Sequence, residues 1–272
     1  MIPNFIYGTA WKEERTADLT FHALKAGFRA IDTANQRKHY FEEGVGQGIK
    51  RFLELPSSID RKELFLQTKF TYASGQDHRM PYNQGDSFYK QVADSFASSL
   101  AHLGTDYIDS YVLHGPYSRA SIGFQDLETW SAMEDLVENQ QVRHLGISNV
   151  SFEQLLSLLE KVKVKPSFVQ NRCFARFGWD KEVREVCKSE GIAYQGFSLL
   201  TANLDELSSP LIADIAKKYE KTIPQIAFRF ANQLGMICLT GTSDPKHMQE
   251  DLDIFDFKLD DSEVFQMEFD AF

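Results

Sequence analysis

Apolar residues along this chain fall into two alternating rhythms. Short apolar runs such as "NFIYGTA" (4–10), "FRAID" (28–32) and "LFLQTKF" (64–70) have strand character. Between them lie stretches with helical spacing. Leu19, Phe21, Ala23 and Leu24 lead up to Gly27, while Val45, Ile49 and Leu53 recur four residues apart. After a long polar loop (71–86), Phe88, Val92, Phe96, Leu100 and Leu103 form one stripe that stops before Gly104, with Asp86 or Ser87 placed as its cap. The scheme continues with the strand "YIDSYVLHG" (107–115) and a helix lined by Leu127, Trp130, Met133 and Val137. Next come the strand "VRHLGISNV" (142–150) and a Ser151–Gln154 capping box ahead of Leu155, Leu158 and Leu159. "PSFVQNR" (strand), "KEVREVCKSEG" (helix), "IAYQGFSLL" (strand), Pro224 to Asn232 (helix), "MICLTGTS" (strand) and a helix after Asp244 complete the series.

Eight strand–helix units without a break in composition predict an α/β chain that folds as one (β/α)8 TIM barrel over residues 1–272. An open doubly wound sheet is the competing arrangement. Its dinucleotide fingerprint GxGxxG is missing: Gly44, Gly46 and Gly48 have the wrong spacing and sit inside a helical pattern.

Barrels of this kind carry their chemistry at the C-terminal ends of the strands. Asp32 ends the second strand, Lys69 the third and His114 the fourth, and Tyr40 lies on the loop after the second. Neighbouring strand ends would bring the four together. A tyrosine hydroxyl titrates near ~10, and an ammonium beside it favours the phenolate and lowers that value. Asp32 would anchor Lys69, and His114 could orient a carbonyl oxygen. Taken singly, these residues suit an ion pair, a loop cap or a packing aromatic; jointly they point to a site. A second group lies at later strand ends. Ser148, Asn149 and Gln170 carry the donors and acceptors to clamp a carboxamide, and Phe197 offers a flat face for a nicotinamide ring. "LTGTSDPKHMQED" suits phosphate binding through backbone N–H groups, and equally an ordinary helix start capped by Ser243 or Asp244.

Composition narrows the partners. The 272 residues are 43% hydrophobic and 25% charged, with a net charge of −10, which repels nucleic acid and requires any phosphate ligand to be held by a local positive or amide-rich site. Cys173, Cys187 and Cys238 form no CxxC pair and read as core residues of a reducing compartment rather than metal ligands. No apolar run approaches the ~18 residues of a membrane span. "MIPNFIYGTAWKEE" has no secretion-signal pattern, so a cytoplasmic protein with no membrane partner is expected.

"YGTAW", "AGFRAIDTA", "LQTKF", "LGTDYIDSYVLHGP", "VRHLGISNV", "FVQN" and "FDFKLDDSEV" occur in that order, and over nearly the whole chain they resemble the landmarks of the aldo-keto reductase family. The resemblance implies a barrel that binds NADPH without a Rossmann domain and reduces aldehydes or ketones to alcohols. It maps the catalytic tetrad onto Asp32, Tyr40, Lys69 and His114. Cofactor contacts are implied at Gly8, Thr9 and Asp32, at Ser148, Asn149 and Gln170, and at Phe197, Ser198 and Leu199. Further contacts are implied at Thr240, Gly241, Thr242, Ser243 and His247, with Glu250 and Asp251 near adenine.

Three features depart from the family pattern. The Asp-to-Tyr spacing, 40 − 32 = 8, is longer than usual, which leaves His39 as a competitor for the proton-donor position. Phe197 stands where tyrosine is common. Gly241 and His247 stand where Lys and Arg usually grip the 2′-phosphate, so a weakened NADPH preference is expected, with NADH possible and Thr242, Ser243 and Lys246 as remaining donors. The short start and end imply an open substrate pocket lined by Trp11, Tyr40, Phe70, Tyr72 and His114, suited to varied carbonyl substrates. Two other functions fit the same elements: a Schiff-base barrel aldolase using Lys69, and a nucleotide-binding sensor or regulatory subunit with negligible turnover. Pairing with Asp32 keeps Lys69 charged and opposes the first; the longer loop favours the second. Monomer and homo-oligomer are equally compatible with the sequence.

Overall fold

The apolar runs form eight parallel strands that pair in chain order and close on themselves. The computed structural model describes residues 2–56 and 59–270. The strands are β1 (Phe5–Gly8), β2 (Ala30–Asp32), β3 (Phe65–Phe70), β4 (Ile108–Leu113), β5 (Val142–Ser148), β6 (Phe168–Arg172), β7 (Ala193–Phe197) and β8 (Ile237–Thr240). Closure comes from β1 against β8, with Phe5 opposite Cys238 and Tyr7 opposite Thr240. The expected (β/α)8 barrel is therefore the observed fold.

Helices α1 (Thr16–Ala26), α2 (Glu42–Leu53), α3 (Phe88–Leu103), α4 (Phe124–Glu138), α5 (Phe152–Leu159) and α6 (Lys181–Glu190) cover the outside of the first six units. Three helices instead of the expected one separate β7 from β8: α7 (Leu204–Leu207), α8 (Pro210–Tyr219) and α9 (Ile223–Gln233). Helices α10 (Pro245–Leu252) and α11 (Asp261–Phe265) follow β8. Ser87 rather than Asp86 caps α3, accepting from the Lys90 N–H, and Asp244 caps α10 by accepting from Lys246. The three glycines of α2 have a packing explanation. Side chains at Gly44 and Gly48 would run into Thr16 and Thr20 of α1, and one at Gly46 would collide with the His102 carbonyl of α3. All three cysteines are free and buried. Among the described residues no helix is long and apolar enough to cross a membrane.

Strand residues alternate between the helix layer and the barrel interior. Tyr7, Ile31, Leu66, Tyr111, Leu145 and Val169 face outward into the main core under the helices. The inward positions fill the barrel in layers. Ile6, Ala30, Phe65, Phe168, Ile237 and Leu239 pack together as one interior apolar cluster. Two residues further along the strands lie Asp32, Gln67, Gln170 and Gln195, all nearly inaccessible and bonded to one another. Polar groups this deep require partners, and a closed ring of amides provides them. One step beyond come Lys69, Arg172 and Phe197, at the mouth.

Candidate active site

Asp32 and Lys69 make the centre of the mouth. Lys69 is fully buried, and its Nζ donates to Asp32 Oδ1 (2.6 Å), Asp32 Oδ2 (2.7 Å) and the Thr33 carbonyl (2.8 Å). Those three bonds use all three N–H groups of the ammonium. Asp32 Oδ1 also accepts from Gln67 Nε2 at 2.7 Å and Gln170 Nε2 at 3.1 Å, so the carboxylate hangs from the amide layer below. Burial pushes the Lys69 pKa down, while the Asp32 carboxylate pushes the other way.

Tyr40 reaches this pair despite its longer loop because the extra residues are wound into a turn. The Gln36 carbonyl accepts from the N–H of His39 (3.1 Å) and Tyr40 (2.9 Å). Three side-chain bonds brace that turn: Asn35 Nδ2 to the Ser95 carbonyl (2.9 Å), Gln36 Nε2 to the Gly75 carbonyl (2.7 Å) and Gln76 Nε2 to the Asn35 carbonyl (2.8 Å). The Tyr40 ring centre ends 5.3 Å from Lys69 Nζ and 5.9 Å from the His114 ring. His39 points elsewhere, stacking 4.0 Å from the Trp11 ring and bonding Gln36 Oε1 at 2.9 Å.

The phenol is not acidified as the sequence suggested. Burial, and then the Asp32 carboxylate, push the Tyr40 pKa up. The ammonium's charge is offset by the carboxylate it holds, so desolvation decides the outcome. Tyr40 therefore keeps its proton at neutral pH. His114 is neutral as well: burial, the Lys69 charge and His39 bring its pKa down to about 3. Its Nδ1 lies 2.7 Å from the Thr71 hydroxyl, and its carbonyl accepts from Asn149 Nδ2 at 2.8 Å. Nε2 is the ring nitrogen left for a ligand.

These groups open into a cavity of about 780 Å³. Its wall brings together Asp32, Tyr40, His114 and Trp11 with Gly8, Ser148, Asn149, Gln170, Phe197, Ser198 and Leu199. The far end is made by Thr240, Gly241, Thr242, His247, Glu250 and Asp251. Trp11, Asn149 and Ser198 hold left-handed backbone conformations (φ 61°, 53° and 56°), so three residues in the loops that follow the strands carry backbone strain on this wall.

Four expected contacts are not on the wall. Phe70 follows the inward Lys69 and therefore points outward by strand alternation, packing fully buried against Tyr72 and Tyr82. Tyr72 is turned to α4, where its hydroxyl bonds Asp126 Oδ1 and Thr129 Oγ1, both at 3.0 Å. Thr9 is buried with its hydroxyl on the Asp32 carbonyl (2.9 Å), and Ser243 is exposed beyond the rim. The sequence reading missed two cations on the wall, Lys12 and Arg172. Both were findable, since Lys12 follows Trp11 directly and Arg172 sits two residues past Gln170 on the same face of β6.

The donor set fits a nicotinamide dinucleotide. Asn149 commits its NH₂ to the His114 carbonyl and Ser148 Oγ, and Gln170 commits its own to Asp32 and Gln195, which leaves both amide oxygens free to accept from a carboxamide NH₂. Phe197 is half-buried beside them. At Gly241 a Cβ would stand 3.6 Å from Lys12 Nζ and 3.7 Å from the Gly8 carbonyl, so its absence widens the passage between β1 and β8.

Comparison with known proteins agrees with this architecture. The profile of the Aldo/keto reductase family matches residues 6–268. A glyoxal reductase of Bacillus subtilis is 32% identical over 243 residues, covering 89% of this chain and 78% of that enzyme. A 9,11-endoperoxide prostaglandin H2 reductase of Trypanosoma cruzi is 30% identical over 255 residues, covering 93% and 81%. Among solved structures, an aldo/keto reductase from Brucella melitensis superposes with a TM-score of 0.83 at 31% identity, covering 98% of this chain and 94% of that one. A Bombyx mori aldo-keto reductase in complex with NADP gives 0.80 at 26% identity, covering 98% and 88%. The match runs through every strand that builds the site, and this chain belongs to the aldo/keto reductase family of oxidoreductases.

Proposed function

We propose that the protein reduces aldehydes or ketones to alcohols with NADPH, Tyr40 serving as general acid. The observation that carries this reading is the convergence of Tyr40, His114 and the Asp32–Lys69 pair at one end of the cavity, with carboxamide acceptors and Phe197 along the rest of it. Bound reduced nicotinamide would supply the hydride, held by Ser148, Asn149, Gln170 and Phe197, with Thr242, His247 and Glu250 at the adenosine end. Neutral His114 offers Nε2 to a carbonyl oxygen and fixes its position beside the Tyr40 hydroxyl. Tyr40 then delivers its proton as negative charge grows on that oxygen. Its raised pKa keeps the proton on the hydroxyl at the start, and Lys69, through its field rather than a direct bond, stabilises the phenolate left behind.

The lysine argues against a Schiff-base aldolase. Its three N–H groups are committed and it is inaccessible, whereas a Schiff-base lysine needs a free, uncharged amine. The longer loop was the feature favouring a catalytically silent nucleotide sensor, and its turn still delivers Tyr40 to the cavity. The deciding experiment is steady-state NADPH oxidation with a panel of small aldehydes, ketones and dicarbonyls. Tight NADPH binding without turnover on any of them would establish the sensor reading instead.

A further inference from the structure

We infer that Arg172 grips the diphosphate bridge of the dinucleotide and sets affinity for NADPH and NADH alike. The inference rests on the cofactor reading above and adds a residue that the family's usual 2′-phosphate contacts do not include.

Arg172 ends β6 at the mouth of the barrel, two residues beyond Gln170 and in register with Phe197 of β7. Its side chain is exposed on the cavity wall. The guanidinium lies 5.3 Å from the Phe174 ring, and among the described residues no carboxylate pairs with it. An arginine held on a ligand-sized cavity without a counter-charge has its whole planar fork free for an oxyanion.

Place on the barrel decides which anion. Lys69 lies on β3, and Tyr40 and His114 follow β2 and β4. Arg172 is on the opposite half, so a substrate held at Tyr40 would have to cross the barrel mouth to reach it. The 2′-phosphate end of the cavity lies past β8, at Thr242 and His247. Arg172 sits between, next to the carboxamide site and before the adenosine site, where the diphosphate of a dinucleotide must run.

Charge supports the same position. Lys12, beyond β1, reaches the end of β8, where its Nζ meets the Gly241 carbonyl. Burial and the Arg15 charge both push its pKa down, so an incoming anion relieves it. The acidic residues of the wall are otherwise engaged: Asp32 with Lys69, Glu250 with Lys246 at 3.3 Å, and Asp251 with the Thr240 hydroxyl at 2.7 Å. Two cations without counter-ions among the described residues would meet a bridge carrying two negative charges. In a chain with a net charge of −10, such a local pair is what makes the cavity attractive to a dinucleotide at all.

The test is calorimetric titration of the full-length protein with NADPH, NADH and adenosine 2′-monophosphate, which lacks the diphosphate. Arg172→Gln should weaken both dinucleotides by the same factor, about 10- to 100-fold, as expected for a lost charged hydrogen bond. Adenosine 2′-monophosphate should bind as before, and Arg172→Lys should fall in between, keeping the charge and losing the fork. Melting curves of both variants establish that they are folded. Unchanged dinucleotide affinity in a folded Arg172→Gln overturns the inference and leaves the cofactor reading intact. Loss confined to NADPH and adenosine 2′-monophosphate assigns Arg172 to the 2′-phosphate and overturns it too. So does unchanged cofactor binding with a raised KM for carboxylate-bearing aldehydes only. A wild-type protein that binds neither dinucleotide would instead sink the cofactor reading itself.

Discussion

Replacing Asp32 by Asn preserves shape and removes the charge that compensates a fully buried ammonium. In the native protein the carboxylate accepts from Lys69 Nζ at 2.6 and 2.7 Å, from Gln67 at 2.7 Å and from Gln170 at 3.1 Å. An asparagine offers one oxygen and turns an NH₂ toward a set of donors. Removing one partner of a buried ion pair costs about 3–5 kcal/mol. At about 2–4 °C per kcal/mol for a domain approaching this size, the melting temperature of Asp32→Asn should fall by roughly 6–20 °C. Lys69→Met should be milder on stability, because Gln67 and Gln170 still satisfy the Asp32 carboxylate. The order reverses for activity: Lys69→Met removes the field that stabilises the phenolate and should lower kcat by about 100-fold or more, and Asp32→Asn less.

A pH series sharpens the test. Burial is the largest influence on Lys69 and lowers its pKa; Asp32→Asn deletes the stronger of the two carboxylates that oppose it and leaves only Glu42. An unfolded lysine titrates near ~10.4, so between the lowered folded pKa and that value the unfolded variant binds more protons than the folded one, and its stability rises with pH across that window. Thermal melts at pH 6 and pH 9, with kcat from the same preparations, measure both effects. The double variant Asp32→Asn/Lys69→Met should recover part of the stability lost in Asp32→Asn, since no buried charge remains. A double variant as unstable as the sum of the singles, or an Asp32→Asn protein melting like wild type, would refute the coupling.

Tyr40→Phe should lower kcat by about 100- to 10,000-fold with NADPH affinity nearly intact, while His39→Gln, altering a ring stacked on Trp11, should be mild; the reverse pattern in steady-state kinetics would move the acid to position 39. His247→Arg should tighten NADPH about tenfold and leave NADH unchanged in fluorescence-quenching titrations, because a guanidinium binds a phosphate more strongly than an imidazole does; no gain would place the 2′-phosphate elsewhere. His102 is bonded to buried Glu42 at 3.0 Å and faces Glu43, and that bond raises its pKa. The pair's stabilisation is therefore complete below the unfolded histidine value near ~6.5 and fades as pH climbs through the raised folded value. His102→Gln should accordingly lose more melting temperature, relative to wild type, at pH 5.5 than at pH 9, and equal losses would contradict the assignment.

The strands and most helices were legible because each had its own local signal. The Ser151–Gln154 box, Gly104 and Gly191 as left-handed stops, and the apolar stripe of α3 all act within a few residues. Helix α8 also carried a signal, a Ser209–Pro210 start with Ile212 and Ile215 buried, yet an expectation of one helix per unit left no room for it. For the site, strand-end position is legible in the sequence, and side-chain direction follows from alternation along each strand. Phe70 follows Lys69 on β3, and because adjacent strand residues face opposite ways it cannot share the lysine's side of the strand. The Tyr40 pKa lies beyond the reach of sequence for a different reason. Sequence places a cation near a phenol, whereas the balance between that cation, its carboxylate partner and burial exists only in three dimensions.

Alternation also explains why this chemistry tolerates a divergent surface. On β6 the inward residues are Phe168, Gln170 and Arg172, so one strand contributes to the apolar interior, the amide layer and the mouth. On β3 the same spacing gives Phe65, Gln67 and Lys69. Slipping either strand by one residue would turn every inward group outward, exchanging Lys69 for Phe70 or Arg172 for Asn171 at the cavity. The interior apolar cluster and the amide layer therefore fix the register that aims the mouth residues. Loops above those layers, such as the lengthened turn before Tyr40, are free to vary as long as they return one hydroxyl to the same place. The second layer has an energetic role beyond spacing: Gln67 and Gln170 hold the Asp32 carboxylate whether or not Lys69 is charged. Those two bonds are independent of Lys69, so the carboxylate keeps its partners below even where the pair above is broken.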